Sequence, residues 1–306
     1  MKRTFALLLV LVVLSGCQPG LLQRKETARL PEVKTGTQGI ELFLTPGSPP
    51  KEVYENSRFT MLAVLSNLGA HDVEDGIYSV SYEPQYVYLA KQQAQGHFAV
   101  RGKSEFNPQG QERLVNLQFD TKPLGPQTQS YTTTISFNAC YPYQTIAPII
   151  VCIDTDITRK LPGKVCAPKA QVLPGGQGAP VAVTMIEPRM LPADMPGRTM
   201  PEFVLTIKNL GKGSVVKQEL YPEACSGRPL GEDGWNIVGV NAELSGEPLT
   251  CTPAKIKLKA EGDTKVVCRL ENGIDTRLGT YTTPLTVVLD YGYMTEISTQ
   301  VKIMKQ

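Results

Sequence analysis

The stretch LGPQTQSYTTTISFNACYPYQT (residues 124–145) returns near the end of the chain as LGTYTTPLTVVLDYGYMT (residues 278–295). In both copies a Tyr-Thr-Thr is followed by Tyr-x-Tyr-x-Thr, and the first tyrosines of the two groups are ten residues apart. A second pair, MLAVLSNLGA (61–70) and FVLTIKNLGK (203–212), occurs in the same order. Two matched pairs in one order indicate that the chain contains an internal duplication.

Both late copies alternate along the chain with a period of two, which is typical of a half-buried strand. The more apolar faces consist of Tyr131, Thr133, Ile135, Phe137, Ala139 and Tyr141 in the first copy and of Tyr281, Thr283, Leu285, Val287, Leu289 and Tyr291 in the second. Gly, Pro, Asn and Asp clusters separate further predicted strands at 40–44, 59–66, 77–82, 113–119, 181–187, 203–208, 236–243, 255–260, 264–270 and 296–303. We therefore predict an all-β protein built from two tandem antiparallel β-sandwiches.

Short motifs in both copies carry a resemblance to a known fold. The Leu-Gly-x-Tyr start of the late strand favours a tyrosine corner at Tyr281, with Tyr131 as its counterpart; the alternative is an ordinary core tyrosine. An earlier strand ends in Asn-x-Gly at residues 67–69 and 209–211. With these features both halves resemble immunoglobulin-like domains of the kind grouped as CARDB. Neither copy has the core cysteine pair of antibody domains, and Pro284 removes a backbone donor from a strand that is usually central.

The first residues predict export and a lipid anchor. Lys2 and Arg3 precede an apolar stretch at 5–14, which is too short to span a bilayer, and Leu-Ser-Gly then leads to Cys17. This ending resembles the lipobox of bacterial-type lipoproteins, and the resemblance implies that Cys17 is acylated and becomes the new N-terminus. A diacyl or triacyl modification is enough for stable anchoring, which one chain alone does not give. The alternative is a signal peptide that is cut nearby, with Cys17 incidental.

Composition places the boundaries between segments. The region after Cys17 is polar and has no periodic apolar face, and a later region is rich in Pro, Gly and Lys. The predicted organisation is a lipoprotein signal peptide (1–16), a lipidated tether (17–39), an immunoglobulin-like domain 1 (40–154), a linker (155–178) and an immunoglobulin-like domain 2 (179–306). This organisation predicts an extracytoplasmic protein that is lipid-anchored to the cell membrane or the outer membrane.

Six further cysteines predict disulfides, because the cysteines of exported chains are oxidised in pairs in the compartments that those chains reach. They are Cys140, Cys152, Cys166, Cys225, Cys251 and Cys268. Six cysteines allow fifteen connectivities; strand geometry favours Cys140–Cys152 and Cys251–Cys268 across hairpin turns, near 143–148 in the first case, which leaves Cys166 with Cys225. Cys140 occupies the position of Asp290 on the outward face, which suits a surface bond. Zinc is a competing interpretation, but the chain has no Cys-x-x-Cys pair.

The sequence favours no catalytic residues, cofactor or metal. The two histidines, His71 and His97, fall in a polar turn and at the start of a short strand, where we expect solvated side chains. Two acidic clusters could hold calcium but lack the spacing of an EF-hand, so solvated turns are the favoured interpretation; they contain Asp72, Glu74 and Asp75, and Asp154 and Asp156. The glycine-rich GGQGAP (175–180) lacks the lysine and hydroxyl of a phosphate loop and fits a linker.

Charge and aromatic content bear on the partner. Removing the leader takes away two of the 31 basic residues, which leaves 29 against 29 acidic ones, so we expect no nucleic-acid partner. Tyr82, Tyr86 and Tyr88 share one strand parity and form a possible contact surface for protein or sugar, although core packing explains them as well. We predict a binding, adhesion or structural module of the cell envelope that contacts an envelope protein or polysaccharide. The alternatives are an accessory subunit or spacer of a larger envelope complex and a hydrolase.

Overall fold

The computed structural model describes residues 32–158, 162–260 and 262–306, and the predicted signal peptide and Cys17 lie outside them. Strands dominate the described residues, so the predicted all-β class is confirmed. The strands are β1 (Ile40–Leu44), β2 (Glu52–Tyr54), β3 (Arg58–Asn67), β4 (Val73–Ser81), β5 (Val87–Leu89), β6 (Gln95–Val100), β7 (Glu112–Thr121), β8 (Ser130–Asp154), β9 (Gln171–Val172), β10 (Val181–Pro192), β11 (Arg198–Asn209), β12 (Ser214–Val216), β13 (Ile237–Leu244), β14 (Glu247–Pro248), β15 (Thr250–Thr252), β16 (Lys255–Lys257), β17 (Thr264–Arg269), β18 (Ile274–Asp275) and β19 (Thr280–Met304).

Helices are few and short. The described residues contain one α-helix, α1 (Tyr221–Cys225), and 3-10 turns at Glu32–Lys34, Gln218–Leu220, Glu232–Gly234 and Thr276–Leu278. No helix in this part of the chain is long and apolar enough to cross a membrane.

The strands form three sheets. A four-stranded sheet has the order β1-β3-β7-β5, and a six-stranded sheet has the order β15-β17-β11-β10-β9 with β18 on β11. A nine-stranded sheet follows the order β14-β13-β19-β8-β4-β6, with β2 and β12 on β19 and β16 on β13. The pairing of β2 with β19 is parallel and the others are antiparallel. The first repeat contributes β1–β8 and the second repeat β10–β19, and both share one continuous core.

The two repeats are joined by their longest strands. β8 and β19 have 25 residues each and pair antiparallel over their full length, from Asp154 opposite Thr280 to Ser130 opposite Met304. Pro142 lies opposite Gly292 at the centre, and these residues are equivalent in the repeat, since each lies between the tyrosines of a Tyr-x-Tyr. A pseudo-twofold axis therefore passes through this pair.

Each long strand begins in its own repeat and ends in the other. The first half of β8 pairs with β4 of the first repeat, whereas its second half is flanked by β19 residues that pair with β13 of the second. Likewise, the end of β19 pairs with β2 of the first repeat and places Val301 and Ile303, both fully buried, in the core. Neither repeat completes its sheet without the other.

The hairpin turn predicted at 143–148 is wrong, because β8 continues through it. The Thr155 N–H donates to the Gly279 carbonyl at 3.0 Å, so odd-numbered residues of β8 exchange bonds with β19 and even-numbered ones point their backbone groups away. Pro148 is even-numbered and faces the open side of β8, and no β8–β19 bond is lost. Pro284 in β19 also lies at a position that is not hydrogen-bonded to β8, so it does not interrupt that pairing, and on the other side its carbonyl accepts the Ser245 N–H at 2.8 Å.

An insertion distinguishes the second repeat. The first repeat has a single strand β4 where the second has β12 and β13, with residues 217–236 between them. These residues carry α1, which covers the outer face of the nine-stranded sheet, the face that points away from the shared core. A small second apolar cluster forms beneath it from Cys140, Val216, Tyr221, Ala224 and Cys225.

Candidate functional site

Four buried tyrosines lie at the centre of the molecule, and we call them the tyrosine junction: Tyr141, Tyr143, Tyr291 and Tyr293. The spacing Tyr-x-Tyr puts both rings of each strand on one face, and the antiparallel register places each pair opposite the other. Neighbouring ring centroids are 5.5–6.2 Å apart in edge-on or tilted arrangements, which aromatic pairs prefer. The most repeated motif of the sequence therefore forms the contact between the repeats.

In the first repeat the tyrosine junction is bonded to the Asn-x-Gly turn. Tyr143 Oη donates to Asn67 Oδ1 at 3.3 Å and accepts the His71 N–H at 3.4 Å. Asn67 also accepts the Gly69 N–H at 3.1 Å and donates from Nδ2 to the carbonyls of His71 and Val100 at 2.8 and 3.2 Å. A Cβ on Gly69 would collide with Tyr143 Oη, which explains the glycine. Burial raises the pKa of Tyr143, so its hydroxyl stays neutral and can donate.

The second repeat reproduces this arrangement. Tyr293 Oη donates to Asn209 Oδ1 at 3.2 Å and accepts the Gly213 N–H at 2.9 Å. Asn209 accepts the Gly211 N–H at 3.1 Å and donates to the Gly213 carbonyl at 2.9 Å. Burial raises the pKa of Tyr293 to about 12. The Asn-x-Gly turns thus serve as hydrogen-bonding partners for the tyrosine junction.

The histidines differ from the prediction in one case. His71 is half-buried, not solvated, because its ring packs edge-on against Tyr143 with centroids 5.3 Å apart. Partial burial lowers the pKa of this imidazole. His97 is exposed as expected, with Nδ1 3.4 Å from the Asp75 carboxylate, which also accepts the Tyr221 hydroxyl at 2.9 Å.

All six predicted cysteines form disulfides, but the predicted connectivity is correct for one bond only. Cys251–Cys268 is present as predicted, across neighbouring strands β15 and β17. The other bonds are Cys140–Cys225 and Cys152–Cys166, so the predicted pairs Cys140–Cys152 and Cys166–Cys225 are wrong. The reason is the continuous strand β8, which keeps the first two cysteines twelve positions apart on one extended segment.

The bond at Cys140 joins the two repeats. Cys140 points to the outer face of the sheet as predicted, but it is fully buried beneath α1 and so is not a surface bond. Its partner Cys225 is the last residue of α1, in the insertion of the second repeat. The disulfide and the Tyr221–Asp75 hydrogen bond therefore fasten the insertion to the first repeat.

The tyrosine-corner candidates lie at the starts of the long strands. The Tyr131 hydroxyl donates to the Glu83 carboxylate at 2.9 Å, and the hydrogen bond raises the pKa of Tyr131 to about 12. Its ring stacks on Tyr86 with centroids 3.6 Å apart. Tyr281 is half-buried and packs against the core.

The predicted tyrosine surface is divided. Tyr82 packs edge-on against Phe119, and both Tyr82 and Tyr86 lie against the core. Tyr88 is 43% exposed, with Lys122 Nζ 5.8 Å from its ring centroid. Among the three, Tyr88 is thus the residue that presents an open ring to a partner.

The acidic clusters are occupied by side-chain and backbone partners. Lys164 Nζ lies 2.5 Å from Asp154 Oδ2 and 3.6 Å from Asp156 Oδ2, and the Asp72 carboxylate accepts the Gly102 N–H at 2.7 Å. Within the described ranges no three His, Cys, Asp or Glu side chains are grouped so that they could hold a metal ion.

The outer edge of β10, the edge away from β11, is covered. Val181 donates its N–H to Tyr291 Oη at 3.3 Å, and its carbonyl accepts Thr145 Oγ1 at 2.6 Å. The Gln177 side-chain amide bonds both the N–H and the carbonyl of Val183 at 3.0 and 3.1 Å. Beyond this point β9 pairs with β10 at Met185 and Ile186, which shields the next part of the edge. The predicted linker therefore contributes two caps to the second repeat.

The equivalent edge of β1, the edge away from β3, is open. Ile40 and Val181 are equivalent because each lies opposite the asparagine of an Asn-x-Gly turn. The Ile40 N–H donates to Tyr141 Oη at 2.9 Å, as in the second repeat. Among the described residues no strand pairs with this edge, and Thr295 Oγ1, the equivalent of Thr145 Oγ1, is buried without a hydrogen-bond partner. This difference between the copies makes the β1 edge the candidate functional site.

Comparisons with known proteins do not indicate a function for this chain. No family model and no curated protein matches the chain. Among solved structures, a serine-rich repeat adhesion glycoprotein from Streptococcus agalactiae aligns over 90% of this chain and 90% of its own, with 11% identity and a TM-score of 0.17. The native conformation of E. coli alpha-2-macroglobulin aligns over 88% of this chain and 17% of its own, with 11% identity and a TM-score of 0.16. Scores this low carry no argument about function.

Proposed function

We propose that the protein is an extracytoplasmic lipoprotein, anchored through Cys17, that acts as a rigid binding or structural module of a cell envelope. The observation that carries the proposal is the full-length pairing of β8 with β19. Because each strand runs unbroken through both repeats, the module has no hinge at this junction and transmits position from one end to the other.

Two further features support this proposal. Three disulfides persist in oxidising compartments, which fits a location outside the cytoplasm. Cys17 is the seventh cysteine and the other six are paired with each other, so the lipobox-like motif has a thiol of its own to modify. Two or three acyl chains would suffice for stable attachment.

Metabolic labelling tests the anchor. The full chain is expressed in a bacterial host with an alkyne-tagged fatty acid, beside a Cys17→Ser variant. The wild type should carry the label and sediment with membranes after a carbonate wash, and the variant should remain unlabelled. Unlabelled wild type, or a variant that sediments equally well, would contradict the anchor. The disulfide-bonded cysteines give no label in either chain and so provide an internal control.

An exposed apolar row favours a second candidate, a subunit of a larger envelope complex. Phe43, Val64 and Leu114 lie side by side on β1, β3 and β7, and Phe43 and Leu114 are 46% and 58% exposed. Such a row on a sheet face is typical of a contact surface. Chemical crosslinking in intact envelopes should give a product with the wild type that is lost in a Phe43→Ser, Leu114→Ser variant; an unchanged product would exclude the row as the contact.

A further inference from the structure

The open edge of β1 has a defined set of unused backbone groups. The Thr45 N–H donates to the Leu62 carbonyl at 3.0 Å and Gly39 accepts the Leu68 N–H at 2.9 Å, so odd-numbered residues of β1 bond to β3. Alternation then directs the N–H and carbonyl of Leu42 and Leu44 to the open side. β3 is the only strand of the described chain that pairs with β1.

A cavity lies along this edge. It has a volume of about 150 Å³ and is lined by residues 37–42 on one side and by residues 295–297 of β19 on the other, with Pro180 and residues 211–213 of the second repeat closing one end. The edge of β19 is also open here, because β12 ends its pairing at Met294 and β2 begins at Lys302. Two strand edges with unused backbone groups thus face one slot. Exposed strand edges of this kind accept further strands.

The second repeat shows what fills the equivalent place. β9 is an extended segment of the linker that pairs antiparallel with β10, and the Leu173 N–H donates to the Thr184 carbonyl at 2.8 Å. The Leu173 side chain packs against the core, whereas Val172 points outward and is 70% exposed. The Gln171 side chain also reaches across to β8, where it donates to the Ile150 carbonyl at 3.0 Å. One short extended segment therefore bridges both sheets of that repeat.

We propose that the outer edge of β1 binds an extended peptide segment of a partner protein as an added antiparallel strand. Backbone bonds to Leu42 and Leu44 supply the affinity, and an apolar side chain enters the slot as Leu173 does in the second repeat. This mode of recognition is β-augmentation, in which alternate side chains confer selectivity. The inference rests on the proposed binding module and names its partner class.

The probe is a fluorescein-labelled peptide with the sequence KAQVLPG, residues 169–175 of this chain. Binding to the mature chain, residues 18–306, is measured by fluorescence anisotropy. The equivalents of Gln171 and Leu173 direct their N–H groups to the receiving strand, and Val172 directs its N–H away. N-methylation of the peptide at the glutamine or at the leucine should weaken binding at least tenfold, whereas N-methylation at the valine should weaken it less than twofold. Absence of binding, or equal effects at the three positions, would overturn the proposal.

Hydrogen exchange on the same complex locates the peptide. The amides of Leu42 and Leu44 should gain protection, whereas those of Glu41 and Phe43, which already face β3, should not change. Protection elsewhere would overturn the proposal. A chain that begins at Glu32 is measured in parallel; binding by that chain alone would also overturn it, because the edge would then be unavailable to a partner in the mature protein. Fatty-acid labelling at Cys17 does not involve this edge, so a failure of the proposed lipid anchor can be distinguished from a failure of peptide binding at β1.

Discussion

Replacing Asn67 with alanine tests whether the two repeats unfold together. Asn67 is fully buried, and its side chain makes four hydrogen bonds, three to backbone groups and one to Tyr143. The substitution removes the side chain that satisfies the Gly69 N–H and the carbonyls of His71 and Val100. Tyr143 retains the His71 N–H as a partner, so the loss concerns the backbone groups.

The loss of stability follows from the backbone groups that the substitution leaves without a hydrogen-bond partner. A buried polar group left without a partner costs about 1–3 kcal/mol, so three of them should lower the free energy of unfolding by about 3–5 kcal/mol after partial relaxation. The matched control is Asn209→Ala in the second repeat. Asn209 is only half-buried and satisfies two backbone groups, which water can reach, so we expect a loss of about 1–2 kcal/mol.

Urea unfolding is followed by far-UV circular dichroism and by the fluorescence of Trp235, the single tryptophan, which lies in the insertion of the second repeat. Because the repeats share β8 and β19, Asn67→Ala should shift both signals to the same lower midpoint. A fluorescence transition that stays at the wild-type midpoint, while circular dichroism shows a separate early phase, would show that the two repeats unfold independently.

Two further predictions concern the tyrosine junction and the disulfide between the repeats. Burial keeps the phenols of the tyrosine junction neutral. Their contribution to the free energy of unfolding is therefore present below pH 10 and is lost as the pH rises towards the folded pKa, which is about 12 for Tyr293. Tyr293→Phe should therefore reduce the fall in unfolding free energy between pH 10.5 and 11.5 by about 1 kcal/mol in urea titrations, and an unchanged slope would contradict this. Replacing Cys140 and Cys225 with alanine opens a link across 85 positions and should cost about 4.6 kcal/mol, against about 3 kcal/mol for Cys251 and Cys268 across 17; calorimetry showing the reverse order would contradict the stapling role.

The strands could be predicted from the sequence because their signal is local. β1 matches the predicted 40–44, and β3, β7 and β17 lie within two residues of their predicted bounds. Period-two alternation and turn residues are visible within each segment, and the pairing of one face with the core follows from them.

The exchange of strands between repeats could not be predicted in the same way. A hairpin at 143–148 and a continuous strand both satisfy a period of two, and the choice depends on pairing with a segment about 150 residues away. The predicted disulfide connectivity was wrong for the same reason, because Cys140 meets Cys225 only when α1 lies on the outer face of the sheet. The open edge of β1 is not visible in the sequence, because the two copies have similar sequences there and differ only in their three-dimensional neighbours.

A pair of introduced cysteines tests the register between β8 and β19 directly. Ser136 and Ser298 lie opposite each other with their hydroxyl oxygens 2.8 Å apart, at a non-hydrogen-bonded position where side chains are closest. A Ser136→Cys, Ser298→Cys variant should form an additional intramolecular disulfide on mild oxidation, detected by peptide mapping with mass spectrometry. A Ser136→Cys, Gln300→Cys control, displaced by two residues, should not. Absence of the first bond, or preference for the second, would contradict a shared sheet with this register.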